Sequence, residues 1–248
     1  MKAHPLSRID ALPDFTAALG RHGLNVVGTT TVADYDASAP PDARLARRVP
    51  HASGLLVVGN GGGAFWRAFE AFCRAHPDHA AGADPIDRFT RQVVDAAVAA
   101  AGLTGPVLYP FDFPATPVSF MHLAECAGLG RRSLLGVLVH PIYGPWIALR
   151  AAVPLPTAVA APRPADGFDP CPTCVARPCV AACPAGAVTA AGWDIPTCAA
   201  QRAPDDDPCG SQCHARIECV LGREHRYPAA ALVHHQRHAR PMLLAARR

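Results

Sequence analysis

The sequence predicts an α+β fold in which a strand–helix half precedes a small cysteine-rich half. Three observations carry this. Half of the 248 residues are hydrophobic and 17% are charged, enough apolar mass for a buried core. Short apolar runs bounded by Gly or Pro alternate with stretches of helical periodicity as far as Val153. Eight of the ten cysteines lie between 171 and 219.

The elements follow in order. Ser53-Gly54-Leu55-Leu56-Val57-Val58 is too short for a helix and rich in strand formers, so it reads as a strand. It runs into Gly59-Asn60-Gly61-Gly62-Gly63, and residues 64–75 then place aromatics and aliphatics at helical spacing. The glycine run lacks the ending of a Walker loop and the spacing of GxGxxG. It reads as a tight turn, with an anion cradle as the alternative. Asp84 and Pro85 open a longer helix as N-cap and N1, with Val93, Val94, Ala97 and Val98 on one face and Gly102 as its stop. Pro106–Tyr109 reads as a strand and Phe120–Cys126 as a helix closed by Gly128. Leu134–His140 and Trp146–Val153 read as two strands joined by the turn Pro141-Ile142-Tyr143-Gly144.

Prolines 154, 156, 162, 164 and 170 remove backbone donors and fix φ, which predicts an extended linker. The expected organisation is a first domain over 1–155, a linker over 156–170, a cysteine-rich domain over 171–222 and an Arg/His-rich tail over 223–248. The tail is expected to turn helical from Pro228. Its His234, His235 and His238 read as a solvated face before they read as a metal site.

Charge and hydropathy narrow the function classes. A net charge of +3 without a strong basic block speaks against nucleic acid as a partner. No run approaches the roughly 18 apolar residues of a membrane span. The start, MKAHPLSRIDALPDF, lacks the apolar stretch of a secretory signal, which predicts a cytoplasmic location. Ten cysteines are then better explained by metal than by disulfides.

The strongest motif is Cys171-x2-Cys174-x4-Cys179-x3-Cys183-Pro184. In bacterial ferredoxin runs the cysteine before proline ligates the other cluster of a pair. That crossed logic groups Cys171, Cys174 and Cys179 with Cys219, and Cys183 with Cys198, Cys209 and Cys213: eight thiolates for two [4Fe–4S] clusters. The gap of four residues before Cys179, where two are usual, requires the loop to bulge. One cubane with zinc or free thiols, or zinc or disulfides alone, are the competing assignments. Cys73 and Cys126 read as buried apolar thiols.

Two further stretches carry a resemblance. His140-Pro141-Ile142-Tyr143-Gly144-Pro145-Trp146-Ile147-Ala148-Leu149-Arg150 and its continuation to Pro156 is similar to the signature of the cobalamin-processing CblC family, with Ala83–Asp87 and 53–74 fitting that family in order. Ala124-Glu125-Cys126-Ala127-Gly128-Leu129-Gly130, preceded by Phe111-Asp112-Phe113-Pro114-Ala115 and followed by the cysteine run, resembles epoxyqueuosine reductase. Together they span roughly 20–222. A tryptophan of that second family's pattern is replaced by Arg131, and residues after 222 leave no room for its C-terminal repeat domain.

The resemblance implies a nitroreductase-like, CblC-like corrinoid-binding domain followed by a ferredoxin-like domain. It also implies an oxidoreductase that passes electrons from two clusters to a cobalamin, either removing the corrinoid's upper ligand or reducing a small substrate. Asp112 matches the proton-donating aspartate, with a turn aspartate as the plainer reading. Tyr143, Trp146 and Arg150 match the corrinoid-facing segment, with core aromatics and a strand-end arginine as the alternatives. A reduced ferredoxin or flavodoxin would be the electron donor. The alternatives to an enzyme are a ferredoxin-type electron carrier, or a corrinoid carrier or activator without its own substrate.

Overall fold

The computed structural model describes residues 12–112, 117–160 and 163–245. They form a mixed α+β fold in two compact units, one of 1–129 with 148–164 and the other of 130–147 with 165–248. No helix among the described residues is long and apolar enough to cross a membrane.

The first unit is built from α1 (Leu12–Gly20), β1 (Val26–Thr31), α2 (Val32–Asp36), β2 (Gly54–Gly61), α3 (Ala64–Ala75), α4 (Pro77–Ala81), α5 (Pro85–Ala100), α6 (Phe120–Cys126) and β5 (Ile147–Leu155). The sheet order is β1-β2-β5, with β1 antiparallel to β2 in the register Val26↔Gly59 to Thr31↔Gly54. As the central strand, β2 is buried along its whole length, which is why it reads as a continuous apolar run instead of an alternation. The helix α5 buries Ile86, Phe89, Thr90, Val93, Val94 and Ala97, a stripe at three- and four-residue spacing. Phe89 is the hub of the aromatic packing, with Phe65, Phe69 and Phe72 at 5.6, 5.8 and 5.0 Å between ring centroids. Such tilted aromatic pairs add about 0.5–1.5 kcal/mol each beyond burial of their area. Cys73 packs at the edge of this core.

The second unit holds β3 (Arg131–Arg132) paired with β4 (Leu138–Val139), then α7 (Pro170–Thr173), α8 (Pro178–Ala181), β6 (Val188–Thr189) paired with β7 (Gly192–Trp193), α9 (Ile195–Gln201), α10 (His214–Ile217) and α11 (Ala229–Ala245). Its apolar centre is small: Leu135, Val188 and Ala215, with Trp193 and four cysteines packed on it.

Several sequence expectations change here. Pro106–Tyr109 is not a strand, and only Leu108 bridges Ala152. The two strands expected around the turn 141–144 do not form a hairpin with each other. Val139 pairs with Arg131, Ile147–Leu155 joins the large sheet, and His140 and Gly144 make one isolated bridge. Residues 130–147, expected in the first domain, group with the cysteine-rich unit. The reason is close packing at two glycines in the left-handed region. Gly136 (φ +71) lies against the Trp193 ring, and Gly144 (φ +54) against the backbone of Leu221 and Gly222, where a Cβ would come within 2.3 Å of a neighbouring atom in each case. β5 runs past the expected strand end at Val153 to Leu155, and within the expected linker Ala165 is buried.

Candidate metal centre

The cysteine-rich unit gathers the eight thiols into two sets. Cys171, Cys174, Cys179 and Cys219 line one cavity together with Leu134 and Leu135. The first three come from the α7–α8 loop and the fourth from the turn after α10. Burial pushes the Cys179 thiol up, and the neighbouring Cys219, Cys171 and Cys174 push it further. Cys219 is raised by burial in the same way, and then by Cys171 and Cys174. In the other set Cys198 is raised by burial with Cys213 and Cys183 beside it. Cys209 is raised by burial, with Cys213 the next cause and Cys198 a smaller one, to about 11. Like-charged thiolates crowd each other in both sets, and a bound cation centre would relieve this by holding all four deprotonated.

Cys179 lies in α8 with one set, and Cys183, four residues on and just past the helix end, lies beside Cys198 of the other. Both pack on the same small core of Leu135, Val188 and Ala215. Among the described residues no three His, Cys, Asp or Glu side chains converge as a single metal ion would need. A cubane instead takes one thiolate at each of four iron corners, and two sets of four soft sulfur donors fit that demand.

The extra length of the Cys174–Cys179 loop is accommodated by Arg177, held at φ +38, a conformation costly for a residue with a side chain. Pro178 then opens α8. The segment carrying Cys209 is fixed by Asp207, which accepts the Cys209 amide at 2.8 Å and pairs with Arg202 at 3.0 Å. Both side chains of that pair are about 95% buried, at 4% and 5% exposure. Arg202 also donates to the Gln236 carbonyl, which fastens α11 to this segment. Sequence reasoning missed this pair. An arginine and an aspartate five residues apart, beside an acidic run, give no sign of being buried.

The residues expected to meet a corrinoid have other surroundings. Trp146 is 1% exposed, edge-on to Tyr227 at 5.6 Å and under the Arg216 guanidinium at 4.8 Å, while Arg216 donates to the Pro145 carbonyl. Arg150 is 9% exposed, donates to Asn60 Oδ1 at 2.7 Å and lies over the Phe65 ring at 4.6 Å. Both are buried among these protein partners. Tyr143 is half-buried, its ring 5.1 Å from that of His140 and 4.8 Å from that of His225.

Asp112 accepts from Arg91 at 2.7 Å, and the Arg91 guanidinium lies 4.2 Å over the Tyr109 ring. Tyr109 donates in turn to Asp95 at 2.6 Å, and burial first, then Asp95, drives its hydroxyl far up. The rest of the Asp112 motif, residues 113–115, lies outside the described residues. In the glycine run, expected as a tight turn, 59–61 instead end β2, where Gly61 exchanges two hydrogen bonds with the Asn25 side chain, and only Gly62 and Gly63 form the turn into α3. Cys126 lies 3.6 Å from His122 Nε2. His234 and His238 stack at 3.9 Å on one face of α11.

His140 is a further buried polar group. It is 4% exposed, and its Nδ1 accepts the amides of Ile142 and Tyr143 at 3.0 and 3.3 Å. Burial, then the nearby His225, lowers its pKa to about 4. The folded state therefore holds the imidazole neutral, while the unfolded chain binds a proton near 6.5. The stability this contributes is complete above pH 6.5 and is lost as pH falls from there toward 4, by at most about 1.4 kcal/mol per pH unit. Urea unfolding at pH 7.5 and 5.5 should show this loss in the native chain, and a visibly smaller one in His140→Gln. Equal losses in both would assign the acid sensitivity elsewhere.

The chain resembles epoxyqueuosine reductases in fold over about 90% of its length. No protein-family model and no curated protein matches it. Among solved structures it is similar to epoxyqueuosine reductase from Bacillus subtilis, whose catalytic aspartate loop is swung out of the active site, with a TM-score of 0.58 at 13% identity over 90% of this chain and 68% of that one. It is also similar to an epoxyqueuosine reductase solved with an epoxyqueuosine-modified tRNA-Tyr stem loop, with a TM-score of 0.52 at 13% identity over 90% and 68%. A B12-trafficking protein CblC from C. elegans matches 62% of this chain and 73% of its own at 13% identity, and its TM-score of 0.47 carries no weight. At such identities the likeness is one of fold.

Proposed function

We propose that the chain is an iron–sulfur oxidoreductase. Its two [4Fe–4S] clusters are held by Cys171, Cys174, Cys179 and Cys219, and by Cys183, Cys198, Cys209 and Cys213, and they deliver electrons to a corrinoid. The observation that carries the first part is the grouping of the eight thiols as two quartets, two members of each packed on one small apolar core. Such clusters supply single electrons at low potential, and a corrinoid supplies a cobalt that releases its upper ligand or attacks an electrophile once reduced.

The protein's own part is to shield the thiolates in part, to link the quartets through the segment 179–183, and to hold Asp112 against Arg91 until it is needed as a proton donor. The corrinoid part is supported by fold likeness alone. The burial of Trp146 and Arg150 favours a second reading, an electron carrier without its own substrate. The charge balance supports a small molecule or the corrinoid's own upper ligand as the substrate over a nucleic acid.

One preparation tests both parts. Anaerobically reconstituted protein should carry about eight irons and as many sulfides, with the spectra of reduced cubanes by EPR. Stoichiometric zinc, or half that iron, overturns the two-cluster assignment. Titration with cobalamin should shift its visible spectrum with saturation. An unshifted spectrum leaves the electron-carrier reading.

A further inference from the structure

Around the first quartet the cysteine-rich unit presents a surface that its own packing does not explain. Val175, at the tip of the Cys174–Cys179 loop, is 96% exposed, and Val220, next to Cys219, is 49% exposed. Val220 and Arg177 line the same cavity as the four thiols. Arg223 donates to the Cys219 carbonyl and is exposed. Arg131 and Arg132 are exposed on β3, next to Ser133 and opposite Val139, which also line that cavity. In the chain, the acids closest to these residues are Asp169, Glu218 and Glu224, of which Glu218 adjoins Cys219 and is exposed.

The charge is not spread evenly over the chain. The unit of 130–147 and 165–248 has eleven arginines against eight acids. The other unit has twelve basic and twelve acidic residues, so the whole net charge of +3 lies in the cysteine-rich unit.

Val175 and Val220 offer apolar surface at the mouth of the thiol-lined cavity, among arginines, and the loop that carries Val175 is lengthened and strained at Arg177. Apolar contacts at the centre with arginines around them are how transient protein interfaces combine grip with steering. A nucleic acid would use the arginines and leave the valines idle. An opening onto four thiols gives a partner docked there the shortest approach to whatever they hold.

We infer that this face is the docking surface for a small acidic one-electron carrier protein. The carrier covers Val175 and Val220, is steered by Arg131, Arg132, Arg177 and Arg223, and passes its electron to the cluster of the first quartet. In the step the carrier is oxidised by one electron and the cluster reduced by one, with no bond made or broken. This rests on the reading of Cys171, Cys174, Cys179 and Cys219 as cluster ligands.

The experiment is anaerobic stopped-flow on the reconstituted full chain, following cluster absorbance, with a plant-type [2Fe–2S] ferredoxin as the probe. Exchange is followed from both directions, reduced ferredoxin against oxidised protein and the reverse, so that driving force cannot hide it. The second-order rate constant should fall about tenfold or more between low and high salt. The double variant Arg131→Glu, Arg132→Glu should slow it by a similar factor at low salt. Val175→Ser should slow it severalfold at every salt concentration. Reduction by dithionite, which needs no docking face, should be the same in all three proteins. Unchanged rates with ferredoxin, or an effect of the arginines without one of Val175, overturn the docking surface. Failure of dithionite to bleach native protein would instead overturn the cluster reading beneath it.

Discussion

Cys198→Ala should leave a protein with four of its eight irons, and Cys219→Ala should do the same while losing the other four. The expectation follows from the membership of the quartets. Cys198 shares its surroundings with Cys213, Cys183 and Cys209, whereas Cys219 shares a cavity with Cys171, Cys174 and Cys179. A cubane that loses one thiolate exposes an iron corner to solvent, and alanine offers no replacement donor. The measurement is iron and sulfide content of each variant, with EPR of the reduced protein to show which signal is gone. The two remaining spectra should add up to that of the native chain. The discriminating residue is Cys183, four residues from Cys179 and just past the end of the short helix α8 that carries it. Cys183→Ala should match Cys198→Ala and not Cys219→Ala. If it instead removed the signal that Cys219 supports, the ligands would follow sequence order, and the crossed assignment would be wrong.

How much of this was legible in the sequence depends on what kind of force places each residue. The apolar part of β2, read as 53–58, and the helices 64–75, 85–100 and 120–126 were legible, because their apolar spacing follows from local burial and they carry glycine or proline punctuation; the continuation of β2 through Gly59–Gly61 was hidden in a glycine run that reads as turn. Asp84 preceding Pro85 gave the right start for α5, although the Asp84 side chain makes no capping bond there and its φ is +45. The grouping of Cys171, Cys174 and Cys179 in one cavity was legible because they lie close together in the chain.

What was not legible depends on contacts distant in sequence. Residues 138–147 look like a hairpin because both arms are apolar, yet Gly144 must pass against Leu221 and Gly222, nearly eighty residues later. That contact turns the segment toward the cysteine-rich unit. Trp146 and Tyr143 look alike in a one-dimensional reading. Only the packing of Tyr227 and Arg216 makes the first a core residue and leaves the second half-buried. Asp112 and Arg150 show the same limit from the polar side: Arg91 and Asn60, their partners, lie 21 and 90 residues away.

The buried pair Arg202–Asp207 yields the largest expected loss of stability. Asp207→Ala removes the carboxylate but leaves a guanidinium 3% exposed, with only the Gln236 carbonyl among its partners in this network still in place. An uncompensated buried charge of this kind typically costs about 3–5 kcal/mol. The same substitution frees the amide of Cys209, so the second quartet should lose its iron at lower denaturant than the first. Unfolding curves read by circular dichroism and by iron release should therefore separate in Asp207→Ala and coincide in the native chain. Two controls locate the cause. Asp205→Ala removes a fully exposed carboxylate 3.5 Å from Arg240 and should leave both curves where they were. The double variant Arg202→Met, Asp207→Ala removes both charges and should recover much of the lost stability, since the penalty comes from the orphaned cation more than from the missing attraction. If the double variant were as unstable as Asp207→Ala alone, the amide bond to Cys209 would be the stabilising contact, and the ion pair would serve only to hold Asp207 in place for it.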